Sequence, residues 1–355
     1  MRIFLPPPKI YNSIREWSAE VSEDTLLDKN LKIIYPPSTF LKKINRPPAR
    51  YPNRLQEGYV AIIPNGRVWG LNGAIITQDN SLLWDVSLEM VNPHTNHSIF
   101  KEKTLPIISD YYKKVADLTH VVGGNYYHWM YEVISRVHLI EQSGIEVNRF
   151  IVKSEPNDLS FQAETLQHIG VELDKIIKTD NHFHIQAENL IVPSQPSFAT
   201  KWAYDYLRKT FLVQSNNFDR IRLYISRKWY RRILNEDELM DVLKDYGFVK
   251  MELEKVSVAE QVRLFSAAEV IIAPHGAGLT NLTFCQLDTK VVEIFPPTYI
   301  TSLYWVISSF GHLQYFYYIG QLGEPDPAFA GQDWSGFDNL KIDIPRFIRL
   351  LKKVI

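Results

Sequence analysis

Apolar and polar positions change their rhythm several times along the 355-residue chain. The first 55 residues are rich in proline ("LPPPK", "YPPS", "RPPARYP") and show little periodicity, which predicts extended or irregular connections with one short helix around 13–21. From Gly58, β-formers alternate with the turn dipeptides Asn65-Gly66, Asn72-Gly73 and Asp79-Asn80, the mark of short antiparallel strands joined by tight turns. Over 118–215 the pattern switches again. A short apolar strand "THVVGG" precedes a helix near 126–142, then come a strand "FIVKS", a helix over 158–169, strands "IIKT" and "AENLIVPS", and a helix over 197–214. Strands alternating with helices predict a parallel α/β sheet.

The carboxy-terminal half repeats that alternation more cleanly. Strand "RLYISR" leads to a helix capped by Asn235 and stopped at Gly247. Strand "FVKMEL" leads to a helix opened by Ser257 with Glu260 three residues on, the spacing of a capping box. "VIIAP", a helix over 278–286 and "KVVEIFPP" complete a doubly wound domain of nucleotide-binding type. A last helix starts at Asp343 with Pro345 in its first turn. The expected organisation is α/β throughout: a proline-rich segment 1–57, a first α/β domain 58–214 with antiparallel strands at its start, a second domain 215–330, and a return segment 331–355.

Composition narrows the functional classes. A formal net charge of -1 leaves no excess of Lys and Arg to displace counterions, which argues against a general nucleic-acid binder. Cys285 is the only cysteine, so neither an intrachain disulfide nor a thiolate zinc site can form. The amino terminus lacks a secretory apolar core and no run is long enough to span a bilayer, so a cytoplasmic location is expected, with peripheral membrane association left open.

Three clusters carry chemistry. "VIIAPHGAGLTN" places a buried strand end, His275, and Gly276-x-Gly278 before a helix start. Glycines there let backbone N–H groups approach a phosphate, while a plain tight turn is the alternative. Leu282 stands where a dinucleotide fingerprint would need its third glycine. Glu293, in the next apolar strand, can accept two ribose hydroxyls or sit in a salt bridge. "SRKWYRR" supplies Arg227, Lys228, Arg231 and Arg232 after a strand ending on the same side. Arginine's planar fork suits a diphosphate, and a solvated basic loop is the alternative. Finally, His128, Glu132 and Arg136 recur at i, i+4 and i+8 on a helix with Asn125 as its expected cap. A carboxylate beside a histidine suits general-base work. The alternatives are a Glu132–Arg136 ion pair or two metal ligands, with no third ligand standing out.

"NYYHWMYEVISRV", then "LYISRKWYRR", "APHGAGLTN" and "VVEIFP", in that order, resemble glycosyltransferase family 61, and "NGRVWGLNGAIITQDNSLLWDVS" is similar to that family's entry strands. The resemblance covers roughly 58–320. It implies a two-domain GT-B architecture of Rossmann-like domains facing a cleft, and transfer of a sugar with inversion and without a required metal or other cofactor. Donors in the family include UDP-N-acetylglucosamine, UDP-xylose and UDP-arabinose. Many members are Golgi or endoplasmic-reticulum proteins; here the missing signal anchor and disulfide cysteines point to a bacterial-type member making surface polysaccharide. The absence of any Asp-x-Asp motif agrees with a metal-free site.

The resulting expectation assigns Glu132 as base with His128 beside it, and Arg136 and Asn125 as acceptor-side or orienting groups. Arg227, Arg232, His275, Gly276 and Gly278 hold the donor diphosphate, and Glu293 the ribose. The partners are a nucleotide-sugar donor and a glycan or glycolipid acceptor. Two rivals remain: a non-catalytic nucleotide- or glycan-binding protein of polysaccharide assembly, and a sugar-nucleotide epimerase on the same fold.

Overall fold

The computed structural model describes residues 3–21, 30–40, 44–157, 159–212, 220–329 and 335–355. The chain forms two compact units, Met1–Ser38 with Arg54–Ala203, and Thr39–Asn53 with Tyr204–Ile355. The boundaries expected at 214/215 and 330/331 fall at residues outside the described set.

The first unit is built on a mixed ten-stranded sheet. Four strands in it are mutually parallel: β1 (Asp110–Asp117), β2 (Arg149–Val152), β3 (Ile176–Lys178) and β4 (His184–Pro193), in the spatial order β3-β2-β1-β4. The antiparallel strands Gly58–Pro64 and Arg67–Trp69 continue the sheet from β4, and Ala74–Ile76 and Ser81–Leu83 extend it. Turns fall at Asn65-Gly66 and Asp79-Asn80, where Asn65 and Asn80 take the left-handed backbone that Asn tolerates.

Two differences from the sequence reading have local causes. The strand sought in "THVVGG" lies earlier, as β1; 121–124 form a turn. Only the last three residues of β1 are buried, so its exposed, charged first half hides the apolar run. The proline-rich segment is also less irregular than expected. Lys9–Tyr11 pairs with Ser81–Leu83 and Leu31–Tyr35 pairs with Gly58–Pro64, while the short helix expected around 13–21 is present as Ile14–Val21.

In the second unit five parallel strands, β5 (Ile221–Ile225), β6 (Phe248–Met251), β7 (Ala268–Pro274), β8 (Lys290–Phe295) and β9 (Gln314–Ile319), take the order β6-β5-β7-β8-β9. One face buries Tyr224, Val270, Ile272, Val292 and Ile294 against Leu239 and Leu243 of helix Glu236–Asp245 and Phe347 and Leu351 of helix Ile344–Val354. Each such aliphatic side chain contributes ~1.5–3 kcal/mol when fully buried. The alternate positions, Val291, Glu293 and Phe295, face the other way and are equally buried. The helix ends follow the side-chain code in part. Ser257 Oγ accepts from Glu260 N at 3.2 Å, and Asp343 accepts from Arg346 N at 2.9 Å. Asn235 caps nothing with its amide, which instead bridges to Ile342.

The segment 44–53 has almost no hydrogen bonds of its own, so side chains of this unit satisfy it. Asn45 accepts from Trp305 Nε1 at 2.8 Å and donates to Tyr315 O at 2.5 Å, and Ser302 Oγ donates to Ala49 O at 2.7 Å.

In open parallel sheets, ligands bind beyond the carboxyl ends of the strands where the winding direction reverses. That reversal lies between β1 and β4 in the first unit and between β5 and β7 in the second.

Candidate functional site

At the first reversal, β1 ends at Asp117 and the chain turns through Thr119 and His120 into a helix over 126–143. Asn125 caps that helix, its side chain accepting from Tyr127 N at 2.9 Å. Lys153 Nζ donates to Val121 O at 2.8 Å and fixes the turn before it. The helix is not uniform: Trp129–Ile134 is π-helical between α-helical segments Tyr126–His128 and Ser135–Ser143. Ser135 supplies a cause. Its hydroxyl donates to Tyr131 O at 2.5 Å, taking the carbonyl its own N–H would use in an α-helix, and that N–H bonds Met130 O instead. Such single π turns recur at functional sites.

The wide turn separates residues that a regular helix would align. Its extra residue rotates the rest of the helix by about 100°. Arg136 consequently leaves the face of His128 and Glu132 and is fully buried. It donates to Thr119 O at 3.0 Å, Asp117 O at 2.9 Å and Pro193 O at 3.1 Å, joining the carboxyl ends of β1 and β4. Its carboxylate partner is Asp117 at 3.5 Å rather than Glu132; burial pushes Asp117 up to about 6 against the opposing guanidinium charge. Arg136 is thus an internal rivet, out of reach of an acceptor.

Glu132 sits between two imidazoles. His128 Nδ1 donates to Oε2 at 2.5 Å, and His120 Nε2 lies 3.0 Å from the same oxygen. Val122 N–H donates to His120 Nδ1 at 3.4 Å, which leaves the His120 ring proton on Nε2, toward Glu132. Burial pulls Glu132 upward, but the two imidazole bonds outweigh it and hold the carboxyl below its ordinary value. Glu132 is 3% exposed, whereas the His128 side chain is 33% exposed. With Nδ1–H committed to Glu132, His128 presents the lone pair of Nε2 outward. Of the two groups expected to do acid–base work, His128 is therefore the more accessible, and Glu132 lies behind it. His120 is the member sequence reasoning missed, although it follows a parallel strand's carboxyl end, where ligand-facing groups collect.

His120, His128 and Glu132 also form a group that can hold a metal, their ligand atoms all within 4.8 Å of one another. The 2.5 Å separation of His128 Nδ1 and Glu132 Oε2 is a hydrogen-bond distance. Two ligands on one tetrahedral zinc, each ~2.0 Å from it, stand more than ~3 Å apart. As placed, the three side chains form a proton-handling array.

The second reversal gathers different chemistry. Arg227 follows β5, and His275 and Gly276 follow β7. Arg227 donates to Tyr230 O at 2.6 Å, and its guanidinium passes over Gly276 so closely that a Cβ there would lie 1.7 Å from Nη1. Gly276 is extended, so its need for glycine is steric. At Gly278 a Cβ would meet the Leu253 Cδ1 methyl at 2.7 Å, so that side chain would have to shift to admit one. Both glycines precede or open the 3-10 run Ala277–Phe284, whose first N–H groups have no partner within the run.

The basic turn sorts its cations. Lys228 pairs with Glu252 at 2.8 Å. Arg232 lies 3.9 Å from Asp326 and is not among the charges that act on His275. Arg231 turns inward instead, at a left-handed φ of 62°. Its guanidinium lies 4.9 Å from the Tyr230 ring centroid and 5.0 Å from that of Tyr299. Arg231 is 7% exposed, and its Nε has no hydrogen-bond partner among the described residues. No carboxylate there pairs with Arg227 or Arg231. Arg227 is half-buried and bonded to the carbonyls of Tyr230 and His275, whereas Arg231 is a buried charge with no counter-ion among the described residues; such a charge is costly and marks a place for an anion. Of Arg231 and Arg232, Arg231 is the one whose charge acts on His275 beside that of Arg227.

Glu293 is not open to a ribose. It is fully enclosed; Oε1 lies 2.5 Å from His275 Nδ1, and Tyr315 donates its hydroxyl proton to Oε2. Burial pushes the carboxyl up to about 8, against the Tyr315 bond and the Arg231 charge. Burial, with Arg231 and Arg227 adding to it, holds His275 far below its ordinary value. Near neutrality the proton between them belongs to Glu293, and Nε2–H of His275 remains for a ligand.

Residues 126–292 match the family model described as Glycosyltransferase 61, inside the 58–320 span expected from the motifs. The chain is similar to a beta-1,2-xylosyltransferase of Oryza sativa subsp. japonica, 30% identical over 134 residues, covering 32% of this chain and 25% of that protein. An EGF domain-specific O-linked N-acetylglucosamine transferase of Drosophila melanogaster is 37% identical over 76 residues, 20% of this chain and 15% of that one. An alpha-1,3-arabinosyltransferase of Oryza sativa subsp. japonica is 31% identical over 78 residues, 21% and 13% respectively. The matched region spans a quarter or less of these relatives' own length. Among the described residues no helix is long and apolar enough to cross a membrane.

Proposed function

With membership of glycosyltransferase family 61 supported over 126–292 as the premise, we propose that this protein is an inverting, metal-independent glycosyltransferase of GT-B type. The second unit holds a nucleotide-sugar donor, a UDP-pentose or UDP-N-acetylhexosamine, the sugar classes in the relatives' names. The first unit serves the hydroxyl of a glycan acceptor. One observation carries the reading: Arg231, buried, strained and with no carboxylate partner among the described residues, stands with Arg227 and His275 where a doubly wound sheet takes its ligand.

Arg227, Arg231 and Nε2–H of His275 grip the diphosphate and stabilise it as it departs, and fixed charge of this kind is usually the largest catalytic term. The acceptor oxygen forms its bond to the anomeric carbon as the carbon–phosphate oxygen bond breaks, and its proton passes to His128 Nε2. Glu132, ionised beneath the ring, stabilises the resulting imidazolium.

The test incubates the full chain with UDP-xylose, UDP-arabinose and UDP-N-acetylglucosamine, with and without a panel of acceptor glycans. Transfer with acceptor only, abolished neither by chelators nor by desalting, is the expected result. Replacing His128 with Asn lowers transfer by ~10²–10⁴-fold while leaving donor affinity in place. Isomerised donor without acceptor identifies an epimerase, and donor binding with no turnover under any pairing identifies a non-catalytic binder.

A further inference from the structure

The His275–Glu293–Tyr315 group is buried, and Arg227 reaches it through its Nη1 contact with His275 O at 3.4 Å. Glu293 is fully buried and His275 is 4% exposed. The ring is fixed in place, stacked on Phe295 at 5.3 Å and flanked by Tyr299 at 5.3 Å and Tyr304 at 5.2 Å. Tyr315 occupies Oε2, so Oε1 of Glu293 has only His275 Nδ1 to bond. The charged and titratable groups that face the pair are Arg227, Arg231, Tyr299, Tyr304 and Tyr315, with Glu254 acting on Arg227.

We propose that an arriving diphosphate drives the proton of Glu293 Oε1 to His275 Nδ1, turning a neutral acid–imidazole pair into an ion pair without taking a proton from solvent. The inference rests on the donor reading of this pocket. In the empty pocket two guanidiniums make an imidazolium unfavourable. A diphosphate cancels their field and adds an acceptor at Nε2, so an imidazolium becomes the favoured form. The nearest proton is already in a hydrogen bond to that ring. One O–H bond breaks at Glu293, one N–H bond forms at His275, and the pair's total charge is unchanged. The leaving diphosphate thereby meets a third cation that exists only while it is bound.

The consequence is a pH profile. Below about 8 the proton is stored on Glu293, so binding needs none from solvent. Above that value the carboxyl is ionised, and each bound diphosphate must draw one proton from solvent, weakening binding ~10-fold per pH unit.

The experiment measures UDP-N-acetylglucosamine and UDP-xylose binding by calorimetry from about pH 6 to about pH 9, in buffers of differing ionisation enthalpy. Their diphosphate diesters do not titrate in that range. Wild type shows no proton uptake and a level affinity up to about 8, then the tenfold-per-unit decline. Glu293→Gln shows the decline, with uptake of about one proton, already through the neutral range. Tyr315→Phe keeps the pair intact and moves the break to higher pH, because the lost bond opposed the upward shift of Glu293. Proton uptake by wild type below the break, or a Tyr315→Phe profile that breaks where wild type does, overturns the transfer while leaving donor binding intact. Failure of wild type to bind either UDP-sugar removes the donor reading and this inference together.

Discussion

Each unit buries an arginine at the place where its sheet reverses direction, and the two have opposite fates. Arg136 spends its guanidinium on three main-chain carbonyls and Asp117, closing the gap between β1 and β4. Nε is unpaired in both arginines, but where Arg136 uses both terminal nitrogens on carbonyls, Arg231 lays its guanidinium against tyrosine faces. Burial alone therefore does not tell a structural arginine from a ligand-binding one. The count of unused donors does. In the first unit the reversal is filled from within, and the titratable groups gather beyond it in the His120–Glu132–His128 array. In the second unit the crevice is left for a ligand.

The contrast can be broken first at Arg136. Replacing it with Met removes the donor shared by the Asp117, Thr119 and Pro193 carbonyls and leaves the buried Asp117 carboxylate without its cation, and stability to urea should fall by ~3–5 kcal/mol. Arg231→Met removes a buried charge that no carboxylate among the described residues pairs, at the loss of its contacts with the Tyr230 and Tyr299 rings, so stability should hold or rise. Affinity for a UDP-sugar should fall by ~1.5–3 kcal/mol, roughly 10- to 150-fold, in a calorimetric titration. Equal destabilisation by the two changes would end the distinction. At the smallest scale, Asn125→Ala removes the cap beneath His128 and should cost ~1 kcal/mol of stability, read as a modest drop in melting temperature, with donor affinity unmoved.

The second unit was the more legible of the two because its boundaries are written in local side chains. Ser257, Gly247 and Asp343 mark their helix ends by chemistry that acts over a few residues. What stayed hidden depends on distant or backbone events. Glu293 in an apolar strand reads equally well as a ligand group or an internal one, and Tyr315, on the neighbouring strand, decides it. Which member of "RKWYRR" points inward depends on a left-handed backbone at Arg231 that no spacing encodes. The i, i+4, i+8 pattern of His128, Glu132 and Arg136 held for the first pair and failed for the last, because Ser135 diverts the backbone between them.

That diverted turn lets one helix answer to two masters. Ahead of it, side chains must stay reachable and change protonation; behind it, a side chain must stay locked and never move. A continuous α-helical pitch would point both sets in one direction, and tuning either would disturb the other. One surplus residue decouples them, so substitutions that adjust the proton chemistry can accumulate without loosening the joint between strands.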